Sequence, residues 1–229
     1  MCQVTAEPMD VSRAQEDFLK TVYLLRSAGT PVTNSELAQA MGVTPAAVSG
    51  HSRRLGELGL LTYERYQEVE LTARGQLIAL EVLRHHRLLE LFFTETLNLP
   101  WQVVHQIAEK FEHDLDEVLE DAIDNLLNSP QVDPHGDPIP DKQGRMPVVS
   151  GQLLSDVPEQ ACRRVVRVLS QEADVLTWLG EIGLRPGAPI VVKEKLPFDG
   201  PVRLDVNGRD AVIGHDLAQR LLVSGADEQ

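Results

Sequence analysis

The sequence predicts a mainly helical protein with a small β component, built as three consecutive modules. Three observations carry that prediction. Apolar residues in the N-terminal part recur at helical spacing, interrupted once by strand-like alternation. A segment with Pro130, Pro134, Pro138, Pro140, Pro147 and Pro158, together with Gly136, Gly144 and Gly151, then breaks the pattern. Beyond it, β-branched runs and an Asn-Gly turn take over.

From Ser12 to Ala28 the apolar positions Phe18, Leu19, Val22, Tyr23, Leu24 and Leu25 share a helix face, and Gly29 ends it. Thr33, with Glu36 three residues on, reads as a capping box for a second helix, Ser35 to Met41, stopped by Gly42. Thr44 caps a third helix with Pro45 at its first position, and this helix runs to Gly59. Leu61, Tyr63, Arg65, Gln67, Val69 and Leu71 then alternate with their neighbours as a strand pair turning near Arg65–Glu68. Three short helices and a hairpin make a winged helix-turn-helix.

Helices are expected over Ala73–Leu97, Trp101–His113 and Leu115–Leu127. After the proline-rich break, Ala161–Leu169, Ile190–Lys195, Val202–Val206 and Ala211–Ile213 read as strands, with Glu172–Ile182 a helix and Asn207-Gly208 a hairpin turn. This tail is expected to form a small β-barrel. The resulting plan places the winged helix-turn-helix at 1–75, a helical domain at 76–140, a linker at 141–159 and the barrel at 160–229.

At 229 residues the chain is long enough for two or three small cores. Its 42% hydrophobic and 24% charged residues match a soluble globular protein. No apolar run is long enough to span a bilayer, and Met1–Asp10 lacks the basic start and apolar middle of a signal peptide. Cys2 and Cys162 cannot build a disulfide framework. A cytoplasmic protein with no membrane partner is the expectation.

A net charge of −14 opposes binding to a polyanion unless the acids are segregated. They are: Glu109, Glu112, Asp114, Asp116, Glu117, Glu120, Asp121 and Asp124 crowd one stretch. Arg53, Arg54, Arg65 and Arg74 balance Glu57, Glu64, Glu68 and Glu70, and the first turns of the third helix carry small side chains. Thr44, Ala46, Ala47 and Ser49 suit close approach to base edges in a major groove. Arg53 and Arg54, with His51, suit phosphates. Tyr63, Arg65 and Tyr66 in the wing suit backbone or minor-groove contact, or only a solvated hairpin tip.

His105, Glu109, Glu112 and His113 follow the pattern H-x3-E-x2-E-H, which on a continuous helix puts four donors on one side. His86 and Glu90, four apart, do the same one helix earlier. Imidazole nitrogens with several carboxylates and no thiolate suit manganese or iron(II) over zinc or copper(I). A solvated acidic face is the plain alternative. No HExxH-type signature marks a catalytic metal, so no enzymatic activity is expected.

Taken in order, the winged helix, R-H-H-R-L-L-E at Arg84–Glu90, V-H-Q-I-A-E-K-F-E-H at Val104–His113 and G-D-P-I-P at Gly136–Pro140 resemble the diphtheria toxin repressor family of metal-dependent regulators over nearly the whole chain. The resemblance implies a C-terminal SH3-like barrel and a homodimer that binds a double-stranded operator when loaded with Mn2+ or Fe2+, repressing metal uptake. It implies a primary site of Asp17, Glu109, Glu112 and His113, with acids at Asp17 and Glu109 as in manganese-type members. Lys20 stands where metal-pair members carry a glutamate. The ancillary site is implied at His86, Glu90 and His105, with Glu172 added from the C-terminal domain and Val175 in place of a polar ligand. Thr44, Ala46, Ala47 and Ser49 fall where the family reads its operator, and Gly50 replaces a glutamine. Metal shared by Asp17 and the Glu109–His113 segment would bias the reading head toward its DNA-competent arrangement. Leu83, Leu88, Leu91, Phe92, Phe93 and Leu97 are read as dimer contacts or as subunit core. A winged-helix regulator sensing another ligand, with no metal switch, is the alternative reading, and a metal-dependent hydrolase with an appended DNA-binding fold is the third.

Overall fold

The computed structural model describes residues 11–62 and 68–225. The expected wing tip, with Tyr63, Arg65 and Tyr66, lies outside the described residues, as does Cys2. The chain divides into two compact units, Met1–Arg84 with Pro140–Arg145, and His85–Ile139 with Met146–Gln229.

In the first unit α1 (Arg13–Ser27) opens after Ser12, whose backbone N–H donates to Gln15 Oε1 at 3.0 Å. Helix α2 (Asn34–Met41) is capped by Thr33, whose hydroxyl accepts from the Glu36 N–H at 3.2 Å, and ends on Gly42 at φ 65°. Helix α3 (Pro45–Glu57) is capped by Thr44, which accepts from the Ala47 N–H at 3.3 Å. Each cap satisfies a donor that the first helical turn leaves without an intrahelical partner. Strands β1 (Leu61–Thr62) and β2 (Glu70–Leu71) pair antiparallel, Leu61 opposite Leu71. Phe18, Leu19, Val22, Leu37, Val48, Leu55 and Leu60 form the buried core of this unit. Pro140–Arg145 joins it, with Arg84 Nη1 donating to Pro140 O at 2.9 Å.

Helix α4 (Ala73–Glu95) is continuous through the division between Arg84 and His85. In the second unit follow α5 (Val104–Phe111), a 3-10 turn at Glu112–Asp114, and α6 (Glu117–Leu126), capped by Asp116 accepting from the Leu119 N–H at 2.8 Å. Leu88, Leu89, Phe93, Val104, Ala108 and Ile123 form one core here. Leu83, Leu88 and Phe93 are buried within the subunit, while Leu97 is exposed.

The C-terminal part is larger in β-structure than expected. Strands β3 (Gln152–Leu153), β4 (Cys162–Val168), β5 (Pro189–Lys195), β6 (Val202–Val206), β7 (Arg209–Ile213) and β8 (Leu221–Val223) make one sheet in the order β3-β8-β4-β5-β6-β7. All its neighbours are antiparallel. Strands β3 and β7 are its two edges among the described residues, so the sheet is not the closed barrel expected. Part of the expected linker is therefore sheet, because β3 pairs with β8. The Asn207-Gly208 turn between β6 and β7 forms with both residues at positive φ, 51° and 81°, as a type I′ hairpin requires. Helix α7 (Ala173–Glu181) and α8 (His215–Ala218) complete this part, whose core includes Leu176, Leu179, Val192, Leu204 and Trp101.

Candidate metal centre and nucleic-acid interface

Helix α3 presents the residues expected at DNA. Thr44, Ala46, Arg53 and Arg54 are exposed, and Ala47 and Ser49 are half-buried. The hydroxyls at the start of the helix are already engaged: Thr44 caps the helix, and Ser49 donates to Pro45 O at 3.0 Å while accepting from Asn34 Nδ2 at 3.1 Å. That second bond fixes α3 against α2. At Gly50 a side chain would meet nothing within 4 Å, so the backbone of α3 is bare at this point. Arg54 pairs with Glu57 at 3.6 Å, an exposed contact of small energetic weight, and His51 stacks on Phe18 with ring centroids 5.7 Å apart.

The expected metal donors sit in the second unit, apart from Asp17, which is half-buried on α1 of the first. Helix α4 brings His86 and Glu90 one turn apart, and α5 brings His105 to them. His86 Nε2, His105 Nδ1 and Glu90 Oε1 form a triangle with edges of 2.9, 3.1 and 3.0 Å. Ligands held ~2.1 Å from one octahedral cation lie ~3.0 Å apart, against ~3.4 Å around a tetrahedral one. The three donors are close enough together to share one cation, and without it their separations are those of hydrogen bonds. Glu90 is 1% exposed and His86 5%, so neither is part of a solvated acidic face.

Glu112 contributes through the far side of His86. Its Oε2 lies 2.5 Å from His86 Nδ1. An ionised carboxylate only accepts, so Nδ1 donates, and Nε2 is the nitrogen that can carry a lone pair into the triangle. A carboxylate behind the imidazole is the usual way a ligating histidine is oriented. In the metal-free cluster burial would lower the His86 pKa, but the bonds to Glu112 and Glu90 outweigh it and raise it to about 9. Burial would raise Glu90, and the three imidazoles of His105, His135 and His86 hold it well below the usual carboxylate range instead.

The four residues of H-x3-E-x2-E-H do not share one helix face, because α5 ends at Phe111 and the chain tightens into the 3-10 turn. That turn carries Glu112 inward and places His113 Nε2 3.5 Å from Glu112 Oε1. Glu109 stays on the helix with its side chain 52% exposed, 3.5 Å from His105 Nε2 on the outer side of the cluster. Glu172 does not join the triangle: it lies at the start of α7, and its Oε1 accepts from Arg220 Nη1 at 2.7 Å.

Two donors were not singled out by sequence reasoning. Asp133 and His135, in the proline-rich segment, form a second buried group with Glu90. His135 Nδ1 is 3.7 Å from Glu90 Oε2 and 3.9 Å from Asp133 Oδ1. His135 Nε2 faces the Trp101 carbonyl at 3.0 Å, which only accepts, so Nε2 donates and Nδ1 is the nitrogen that can carry a lone pair when the ring is neutral. His135 Nδ1 and Asp133 Oδ2 are buried without a hydrogen-bond partner among the described residues. Buried orphans of this kind are costly unless a further ligand completes them. Burial, then the charges of Asp137 and Glu90, push the Asp133 carboxyl well above its usual value. Burial would lower His135, but Glu90 raises it. The loop is held in place by Asp133 Oδ1, which accepts from the His135 and Asp137 N–H groups, and by Gly136 at φ 86°, where a Cβ would collide with the Val166 carbonyl. The signal available in the sequence was D-P-H-G-D-P, an Asp and a His fixed by Pro and Gly on either side.

Comparison with known proteins matches the three parts of the chain in order. Residues 10–69 match the iron dependent repressor N-terminal DNA binding domain, residues 72–141 its metal binding and dimerisation domain, and residues 152–225 the FeoA domain. The chain is 30% identical to the iron-dependent repressor IdeR of Mycobacterium tuberculosis over 91% of its own length and 95% of that protein. It is 26% identical to the diphtheria toxin repressor of Corynebacterium diphtheriae, covering 93% and 98%. Among solved structures it superposes with a TM-score of 0.83 on a manganese-dependent transcriptional repressor complex with manganese, at 30% identity and covering 92% and 99% of the two chains.

Proposed function

Because the chain belongs to the diphtheria toxin repressor family of iron-dependent repressors, we propose that its buried donors at His86, Glu90 and His105 seat the divalent cation that controls DNA binding. The protein is a metal-dependent, DNA-binding transcriptional repressor of that family and not an enzyme. The observation that carries the metal reading is the 3.0 Å triangle with Glu112 bonded behind His86. A bound cation supplies positive charge that lets these acids stay ionised together. The chain's own groups do the rest: Glu90 supplies the anionic corner, His86 and His105 the nitrogens, and Glu112 fixes the His86 tautomer. Imidazole and carboxylate donors without thiolate support Mn2+ or Fe2+ over Zn2+, a preference that geometry and supply rather than raw affinity would have to provide.

Glu90 is shared with Asp133 and His135, whose orphaned atoms support a neighbouring seat on its other oxygen. The primary set implied by the family resemblance, Asp17 with Glu109, Glu112 and His113, is retained as a separate proposal tested by substitution. Asp17→Ala or Glu109→Ala is expected to weaken metal-dependent DNA binding without unfolding the protein. Thr44, Ala46, Ala47 and Ser49 are the proposed base-facing residues, and Arg53 and Arg54 the proposed phosphate contacts. A cytoplasmic homodimer, acting on a palindromic operator that controls metal uptake, completes the proposal. No described helix is long and apolar enough to cross a membrane.

The experiment is an anisotropy titration of operator-like palindromic DNA with chelator, then Mn2+, Fe2+ and Zn2+. Tight binding only with metal is expected, with Mn2+ and Fe2+ ahead of Zn2+. Equal binding in chelator would remove the switch and leave the alternative of a regulator that senses another ligand.

A further inference from the structure

Beside the donors already described lies a buried pair that belongs to none of the candidate clusters. His85 precedes the ligand candidate His86 on α4, and Glu120 lies on α6. Both are buried, at 8% and 6% exposure. His85 Nδ1 is 3.1 Å from the backbone carbonyl of Glu112, and His85 Nε2 is 3.5 Å from Glu120 Oε2. The carbonyl only accepts, so Nδ1 is the donor. The ring thus grips the main chain through Nδ1, while its Nε2 edge faces the Glu120 carboxylate. What it grips is the first residue of the 3-10 turn that carries both Glu112 and His113.

Adjacent residues on a helix point about 100° apart, so His85 and His86 leave α4 in different directions. Yet both reach Glu112, His86 at its side chain and His85 at its backbone. The side-chain bond sets where the Glu112 carboxylate points, and the backbone bond sets where the turn itself sits. Outer groups that orient ligating side chains in this way commonly affect metal affinity ~10–100-fold.

We propose that His85, which faces Glu120, is a positioning residue that fixes the Glu112–His113 turn for cation binding. This rests on the metal-dependent reading of the site. It needs no contact between His85 and the cation. Its role is to remove, before binding, the backbone freedom that a short 3-10 segment after a helix end otherwise retains.

The test uses the full chain and Mn2+ itself, titrated with detection of unbound Mn2+ by EPR, for the wild type and for His85→Leu, His85→Asn and Glu120→Gln. Metal-free melting temperature is recorded for each. Asparagine places an N–H close to the position of ring Nδ1 and keeps the bond to the Glu112 carbonyl, whereas leucine cannot. The expected result is a ~10–100-fold loss of Mn2+ affinity in His85→Leu and recovery to within ~3-fold of wild type in His85→Asn. Glu120→Gln is expected to fall between them, with an altered EPR spectrum of bound Mn2+ in the variants that lose affinity. If His85→Leu does not fold, the comparison of His85→Asn with Glu120→Gln carries the test. Wild-type affinity in His85→Leu, or the same loss in His85→Asn, overturns the proposal and leaves the metal site standing. A wild-type chain that binds no Mn2+ overturns the metal reading and this proposal with it.

Discussion

Replacing Glu90 with glutamine isolates the charge at the centre of the cluster while nearly conserving its shape. Glu90 Oε1 lies 3.1 Å from His86 Nε2 and 3.0 Å from His105 Nδ1, and its Oε2 lies 3.7 Å from His135 Nδ1. Removing one partner of a buried charged pair costs ~3–5 kcal/mol. The lower end applies here, because His86 keeps Glu112 and can shed its proton once its pKa falls. At ~2–4 °C per kcal/mol for a chain of this size, ~3 kcal/mol lowers the metal-free melting temperature by ~6–12 °C. The metal effect is separable. With Mn2+ at ~100 times its Kd, binding adds ~2.7 kcal/mol to the wild type, a rise of ~5–11 °C. Loss of the only anionic corner of the triangle weakens binding ~100-fold or more, taking the upper end of the range seen for groups that merely orient a ligand. The same Mn2+ concentration then adds only ~0.4 kcal/mol, or ~1–2 °C. Thermal denaturation of both proteins in chelator and in matched Mn2+ reads both numbers. A Glu90→Gln protein that melts within 2 °C of wild type in chelator and keeps its full Mn2+ shift would refute the role given to this carboxylate.

Two further outcomes follow from the same structure. The His86 pKa is raised from 6.5 to about 9 in the metal-free fold, so its proton contributes stability that is fully present below pH 6.5 and is lost as pH rises through about 9. Cation binding needs Nε2 without that proton, so Mn2+ affinity measured by calorimetry is expected to climb with pH, by up to ~tenfold per unit, and to level off above pH 9. An affinity flat from pH 6.5 to 9 would remove His86 from the ligand set. On the DNA side, Arg53→Ala and Arg54→Ala are each expected to lower the slope of log K against log salt by ~1 while leaving operator preference unchanged. A change in sequence preference with no change in slope would assign them to bases.

The N-terminal elements were legible because their signals are local. The caps at Thr33 and Thr44, the stop at Gly42 and the β6–β7 turn at Asn207-Gly208 each depend on a few adjacent residues and each formed, although only the hydroxyl half of the capping box read at Thr33 is present, the Thr33 N–H donating to Pro31 O. The pairing of His86 with Glu90 was legible for the same reason, since four-residue spacing within one long helix fixes two side chains on one face. The short strands β3 and β8 were not, because two or three residues carry no periodicity and are strands only by virtue of their partners.

The site divides along the same line. Sequence by itself determined the donor chemistry: imidazoles and carboxylates, no thiolate, in the second helical block. Tertiary structure decided which donors meet. Helix α5 stops at Phe111, so a helical repeat that would have aligned Glu109 with Glu112 instead leaves one half-exposed and turns the other behind His86. Asp133 and His135 reach Glu90 from a loop whose course is set by Gly136, an Asx turn and packing against β4, none of which has a period to read. Local spacing fixes directions within an element, whereas a polar cluster forms where elements end and cross, and that is determined by what each buries.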